Sequence, residues 1–85
     1  MSKQQQENLL NCAKGSWQRE IISDFIKYQT ITNPIKFLKG AAKSYSGKYQ
    51  ISFDNLISRI EKLGFSITVQ LGPHGGMWGS TYTLS

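Results

Sequence analysis

One cysteine, one histidine and five acidic residues in a chain of 85 are the scarcities that bound this sequence. Cys12, standing alone, cannot close an internal disulfide, so no oxidised framework holds the fold. Cys12 and His74 together fall short of the four Cys/His ligands that a structural zinc site requires. No metal and no cofactor are expected. No apolar run approaches the roughly 20 residues of a membrane span. The N-terminal MSKQQQEN is polar and lacks the charged-then-apolar layout of a signal peptide. A soluble, cytoplasmic protein with no membrane contact is expected. The acidic residues Glu7, Glu20, Asp24, Asp54 and Glu61 show no paired spacing, and Ser, Cys and His form no nucleophile–base arrangement. No enzymatic role and no small-molecule substrate are expected. A chain this short holds one modest core and little room for a catalytic cleft.

The scarcity of acid is also uneven. Between Asp24 and Asp54 there is none, while Lys27, Lys36, Lys39, Lys43 and Lys48 all fall there, against a net charge of +5 for the whole chain. Such a block is the electrostatic footprint of a nucleic-acid binder. A solvated, solubilising lysine face is the plain alternative.

Along the chain, residues 1–15 read as a polar lead-in with a short helical stretch at Leu9, Leu10 and Ala13. Residues 16–85 read as a single domain. Ser16 is the expected N-cap of a helix over about 17–28. Its apolar side is Trp17, Ile21, Ile22, Phe25 and Ile26, with Gln18, Arg19, Ser23 and Lys27 on the other side. The β-branched stretch after Gln29 suits an extended conformation. Thr32 or Asn33 then caps a second helix with Pro34 at its first position. On that helix Ile35, Leu38 and Ala42 share one face and Lys36, Lys39 and Lys43 another. Ser44–Tyr49 reads as a loop pivoting at Gly47.

Ser52 is the expected cap of a third helix with the stripe Phe53, Leu56, Ile57, Ile60 and Leu63, stopped by Gly64. Asn55, Arg59 and Lys62 lie on its outward face. Phe65, Ile67, Val69 and Leu71 then alternate with polar residues, the signature of a half-buried strand. After the turn Gly72-Pro73-His74-Gly75-Gly76, a second strand follows with Trp78, Ser80, Tyr82 and Leu84 on one side. The fold class expected is α+β: about three helices, then a C-terminal two-stranded β-hairpin.

The run Asn55-Leu56, Arg59-Ile60, Leu63-Gly64-Phe65 and Ile67 is similar to the N-L-x-x-R-I-x-x-L-G-[aromatic]-x-I run of small winged helix-turn-helix proteins of phages and mobile elements. Thr81-Tyr82-Thr83-Leu84 resembles the closing wing strand of that group. The resemblance spans residues 17–84. It implies that the helix over 52–62 is a recognition helix and the hairpin a wing. One departure stands out: the connection from Ser44 to Ile51 spans about eight residues, against three or four for a standard turn.

On this reading Ser52, Asn55, Arg59 and Lys62 enter the major groove of double-stranded DNA, where Arg suits guanine and Asn suits adenine. Lys36, Lys39 and Lys43, with Lys48 beside them, neutralise phosphates, and His74 sits at the wing tip. Among the aromatics, Trp17 and Tyr82 read as core, while Tyr45 and Tyr49 have basic neighbours and could stack on bases. Each feature has an ordinary counterpart: a polar helix surface, a solvated lysine face, a tight hairpin, an exposed histidine. A regulator of transcription or DNA processing is the implied role, with a homodimer or protein partner expected because one such domain binds DNA weakly. The rival reading is a small phage-type inhibitor or adaptor that binds a host protein, such as a defence or replication factor. There the lysines would meet an acidic partner, and Met77 and Trp78 would anchor the contact.

Overall fold

The computed structural model describes residues 1–38, 46–73 and 76–85. Helices α1 (Lys3–Asn11) and α2 (Gly15–Tyr28) are followed by strand β1 (Thr30–Thr32), a 3₁₀ turn (Pro34–Phe37), helix α3 (Ser46–Lys62) and strands β2 (Ile67–Gln70) and β3 (Thr81–Leu84). The class is α+β, as the sequence order implies. The sheet, however, has three antiparallel strands in the order β1-β3-β2 rather than a hairpin alone. β1 joins because Ile31 is buried opposite Tyr82, and Thr30 and Thr32 pair with Thr83 and Thr81. In sequence, three β-branched residues carry too little length to declare a strand; the partner strand supplies the rest.

The N-terminal segment is not a frayed lead-in. Ser2 Oγ accepts from Gln5 N–H at 3.1 Å, and Gln5 Oε1 accepts from Ser2 N–H at 2.9 Å, a reciprocal capping box. The helix so started buries Leu9 completely, and Leu9 and Cys12 belong to the same core as the rest of the chain. α2 begins one residue before the expected cap. Its N-cap is Lys14 rather than Ser16, with no side-chain capping bond, and the Lys14 N–H itself donates to Gln18 Oε1 at 2.8 Å. Gln18 itself is buried, 3% exposed, although the sequence puts it on the polar side.

Where the sequence places the start of a helix at Pro34, the described residues form a 3₁₀ turn over Pro34–Phe37, and Leu38 after it is extended (ψ 141°). The polar groups here hold the hairpin instead. Asn33 N–H donates to Ser80 O at 2.8 Å, Asn33 Oδ1 accepts from Gly79 N–H at 2.9 Å, and Ile35 N–H donates to Met77 O at 3.1 Å. Lys39, Lys43, Tyr45 and His74 lie outside the described residues.

α3 starts at Ser46, almost two turns before the expected cap at Ser52, and Gly47 is helical rather than a pivot. The early turns have partners. Tyr49 meets the Trp17 ring edge-on at 5.5 Å, and Gln50 Oε1 accepts Met77 N–H at 2.7 Å. Much of the long connection counted from Ser44 to Ile51 is therefore helix. Phe53, Leu56 and Ile60 pack inward against Ile21, Ile22, Phe25, Tyr82 and Leu84. Phe53 and Tyr82 meet edge to face at 4.8 Å. Leu63 lies beyond the helix end and is exposed, and Gly64 takes a left-handed φ of 101°, ending α3 as expected. Tyr82 and Leu84 on β3, and Ser80 just before it, are buried, but alternation fails in the preceding turn: Met77 is buried and Trp78 exposed.

Candidate nucleic-acid interface

With Phe53, Leu56 and Ile60 inward, helix geometry sends Lys48, Ile51, Asn55, Ser58 and Lys62 to the opposite face, three and four residues apart. All are exposed, and Ile51 is 65% exposed. The stripe carries cationic charge only. Asp54 and Glu61 sit on the flank toward β2, where Asp54 Oδ1 accepts from Gln50 Nε2 at 2.8 Å. A shallow cleft beside the stripe brings the exposed Lys14 from the α1–α2 connection next to Lys48, Ile51 and Asn55.

Two expected groove residues face elsewhere. Arg59 is half-buried, with Nε donating to Cys12 O at 2.9 Å and Nη2 donating to Gln18 Oε1 at 2.7 Å. Ser52 Oγ accepts from Gln18 Nε2 at 2.7 Å. Both residues therefore clamp α3 to α2 through Gln18. The reason lies in register: positions 52 and 59 are two helical turns apart, on the flank that looks at α2 rather than at solvent. Arg59 also bears on Cys12, whose thiol burial pushes up while the nearby guanidinium pulls it partly back.

Of the other expected residues, Asn55, Lys62 and Lys48 share the exposed stripe. Lys36 does not join them. It sits over the Phe37 ring at 5.5 Å, in a broad open depression shared with Arg19, Glu20 and Asp24. Acidic neighbours there weaken the field it offers to a phosphate. Tyr49 packs on Trp17 and is only partly exposed, which places it with the core rather than on a stacking platform.

Ile51, Ser58 and Lys14 were not among the expected residues. The first two carry a legible signal, since the 48-51-55-58-62 spacing is helical once α3 starts at Ser46. Lys14 and Gln18 carry none, because only the packing of α1 and α2 against α3 brings them to the site. Among the described residues, no group of three or more His, Cys, Asp or Glu could hold a metal ion, and no helix is long and apolar enough to cross a membrane.

The chain matches no protein-family model, no curated protein and no solved structure.

Proposed function

We propose that this domain binds double-stranded DNA, with α3 laid in the major groove, as a winged helix-turn-helix regulator of transcription or DNA processing in a phage or mobile element. The observation that carries the reading is the exposed face of α3: Lys48 and Lys62 at its two ends, Ile51, Asn55 and Ser58 between them, and no acidic side chain among them. The chemistry is suited to a groove. Terminal lysines reach phosphates on either side, Asn55 pairs bidentately with an adenine edge, and Ile51 offers apolar contact to a thymine methyl. Lys14 adds a phosphate contact from the neighbouring connection. Arg59 and Ser52 support the helix from behind. The hairpin after α3 serves as the wing. Such a role implies an intracellular protein.

The test is fluorescence anisotropy of a labelled random duplex titrated at low and at physiological salt. Binding in the micromolar range that falls steeply as salt rises is expected. No binding at low salt overturns the reading for the domain acting alone.

A second reading is favoured by one observation, the 40% exposure of Trp78 next to the buried Met77. In an adaptor that binds a host protein, Trp78 would be the anchor. Trp78→Ala then abolishes capture of that protein while Lys48→Gln and Lys62→Gln leave it intact; DNA binding gives the reverse pattern.

A further inference from the structure

Strand β2 is one of the two outer strands of the sheet, the longer of them, and among the described residues no strand pairs with its free side. The direction of its polar groups follows from the ladder. Ser66 and Ser85 exchange both hydrogen bonds, N–H to O at 3.0 and 2.9 Å. Alternation along an antiparallel pair then turns Thr68 and Gln70 toward β3, and leaves N–H and C=O of Ile67 and Val69 aimed outward. Natural edge strands are commonly blocked by lysine, proline or a bulge. None of these devices occurs in Ile67-Thr68-Val69-Gln70.

The face that this strand turns to the core also outruns its cover. Ile67 packs against the core, but Val69 is 43% and Leu71 72% exposed. With Ile57 and Tyr82 they line an open groove between α3 and the hairpin, apolar on its floor and edged on the α3 side by Gln50 and Asp54. Charge indicates what closes it. From Gly64 to Ser85 there is no Lys, Arg, Asp or Glu, so the chain's net charge of +5 resides wholly before Gly64. Two copies of so basic a chain repel each other over most of their surface and meet with the least like-charge cost along this uncharged segment. Among the described residues, Asp54 on the α3 rim is the one charge lining the groove.

We infer that β2 is a self-association edge: two copies pair β2 to β2 antiparallel about a two-fold axis at Thr68, making one continuous six-stranded sheet. In that register Ile67 of one copy lies opposite Val69 of the other, and the outward N–H and C=O groups of both are satisfied reciprocally. Val69 and Leu71 of each copy close the groove of the assembly from both sides. The contact is isologous, as a two-fold interface requires. Four-residue strands and two apolar side chains per copy make a small interface, so association is weak and depends on concentration. The inference stands apart from DNA binding and is tested without it.

The test is sedimentation equilibrium of the chain from about 10 µM to about 1 mM, spanning the range of a weak dimer, with amide hydrogen exchange at both ends of the range. The mass is expected to rise from monomer toward dimer, and the Ile67 and Val69 amides to gain protection at high concentration. Thr68→Lys sets two like charges face to face at the axis, and Leu71→Lys charges the groove. Both side chains are exposed, so both variants are expected to keep the wild-type circular dichroism and remain monomeric throughout. A wild-type chain that stays monomeric at the highest concentration overturns the inference, and leaves the edge to a foreign strand. A dimer unaffected by both lysines, with unchanged exchange at Ile67 and Val69, also overturns it by placing the contact on another face.

Discussion

Gln18 and Arg59 meet at 2.7 Å, Nη2 donating to Oε1, on the flank where α3 lies against α2. The same amide oxygen accepts from Lys14 N–H, and its nitrogen donates to Ser52 Oγ. One buried glutamine thus ties the start of α2 to two points on α3 that lie two turns apart. The exposed stripe of α3 is set by this clamp, since the two residues that would otherwise lengthen the stripe are held inside.

Gln18→Leu should therefore cost more than its lost bonds. It leaves a guanidinium N–H and a backbone N–H facing an apolar side chain, and a buried unsatisfied donor costs about 1–3 kcal/mol, more when charged. A loss of about 2–4 kcal/mol in urea unfolding is expected for Gln18→Leu, against about 1 kcal/mol for Ser52→Ala. A double-mutant cycle of Gln18→Leu with Arg59→Leu should recover part of the cost, because removing both partners removes the orphaned charge. Strict additivity in that cycle would mean that the clamp carries no energy.

Leu9→Ala tests whether the N-terminal helix belongs to the domain. Leu9 is fully buried, and truncating such a side chain costs about 2–5 kcal/mol, cavity included. Equilibrium unfolding of the variant should show that loss in a single transition. A change below about 0.5 kcal/mol, the size of an ordinary surface substitution, would mean that α1 is detached in solution.

Leu9 also shows where the sequence stops being legible. α2, α3 and the β2–β3 pair are readable because their apolar periods run for several turns or residues. α1 has a single deeply buried leucine, too few for a period, and its capping box uses glutamine at a place where the composition reads only as a polar run. β1 is three residues long and exists through its partner. The candidate site divides the same way. Asn55, Lys62 and Lys48 follow from helical spacing, whereas Arg59 and Ser52 look outward in sequence and turn inward because Gln18, also polar, is buried opposite them. Charge on a helix flank does not announce whether another element covers that flank.

Two glycines should respond in opposite directions. A Cβ on Gly72 would run into the backbone of Gly79, its Cα at 2.9 Å and its carbonyl closer still, so Gly72→Ala must push apart the two chains of the hairpin. Overpacking of this kind costs about 1–3 kcal/mol. Gly47 lies in the first turn of α3 with nothing within 4 Å of the added carbon, and Gly47→Ala should stabilise by about 0.4–1 kcal/mol through the unfolded chain. Thermal melts of the two variants, read against wild type, check both signs together.

Alkaline pH should loosen the fold from two sides. Burial raises the Cys12 thiol above its ordinary 9.0, partly opposed by Arg59. Burial and the Asp54 carboxylate raise the Tyr82 hydroxyl above its ordinary 10.0, with a hydrogen bond from Gln50 acting the other way. Each group ionises more readily unfolded than folded, so above those ordinary values the unfolded state binds fewer protons and stability falls as pH rises. The stabilisation is fully present below pH 9.0 and declines through the folded values. Urea midpoints taken from about pH 8 to about pH 11 should fall, and Tyr82→Phe should flatten the upper part of the curve.

The lysines of α3 provide the sharpest test of the proposed groove contact. Each phosphate neutralised contributes about 0.9 to the slope of log K against log salt. Lys48→Gln and Lys62→Gln should therefore each reduce the slope by about that amount and weaken binding equally on all duplexes. Lys36→Gln, placed among Glu20 and Asp24 and away from the stripe, should change the slope little. Asn55→Ala should behave differently, leaving the slope intact while removing about 1–3 kcal/mol of preference at one base pair once a preferred sequence has been selected. Equal effects of Lys36, Lys48 and Lys62 would describe a basic protein attracted to any polyanion, with no particular helix in the groove. An ordered series, large at both ends of α3 and small at Lys36, requires the helix itself to lie along the duplex.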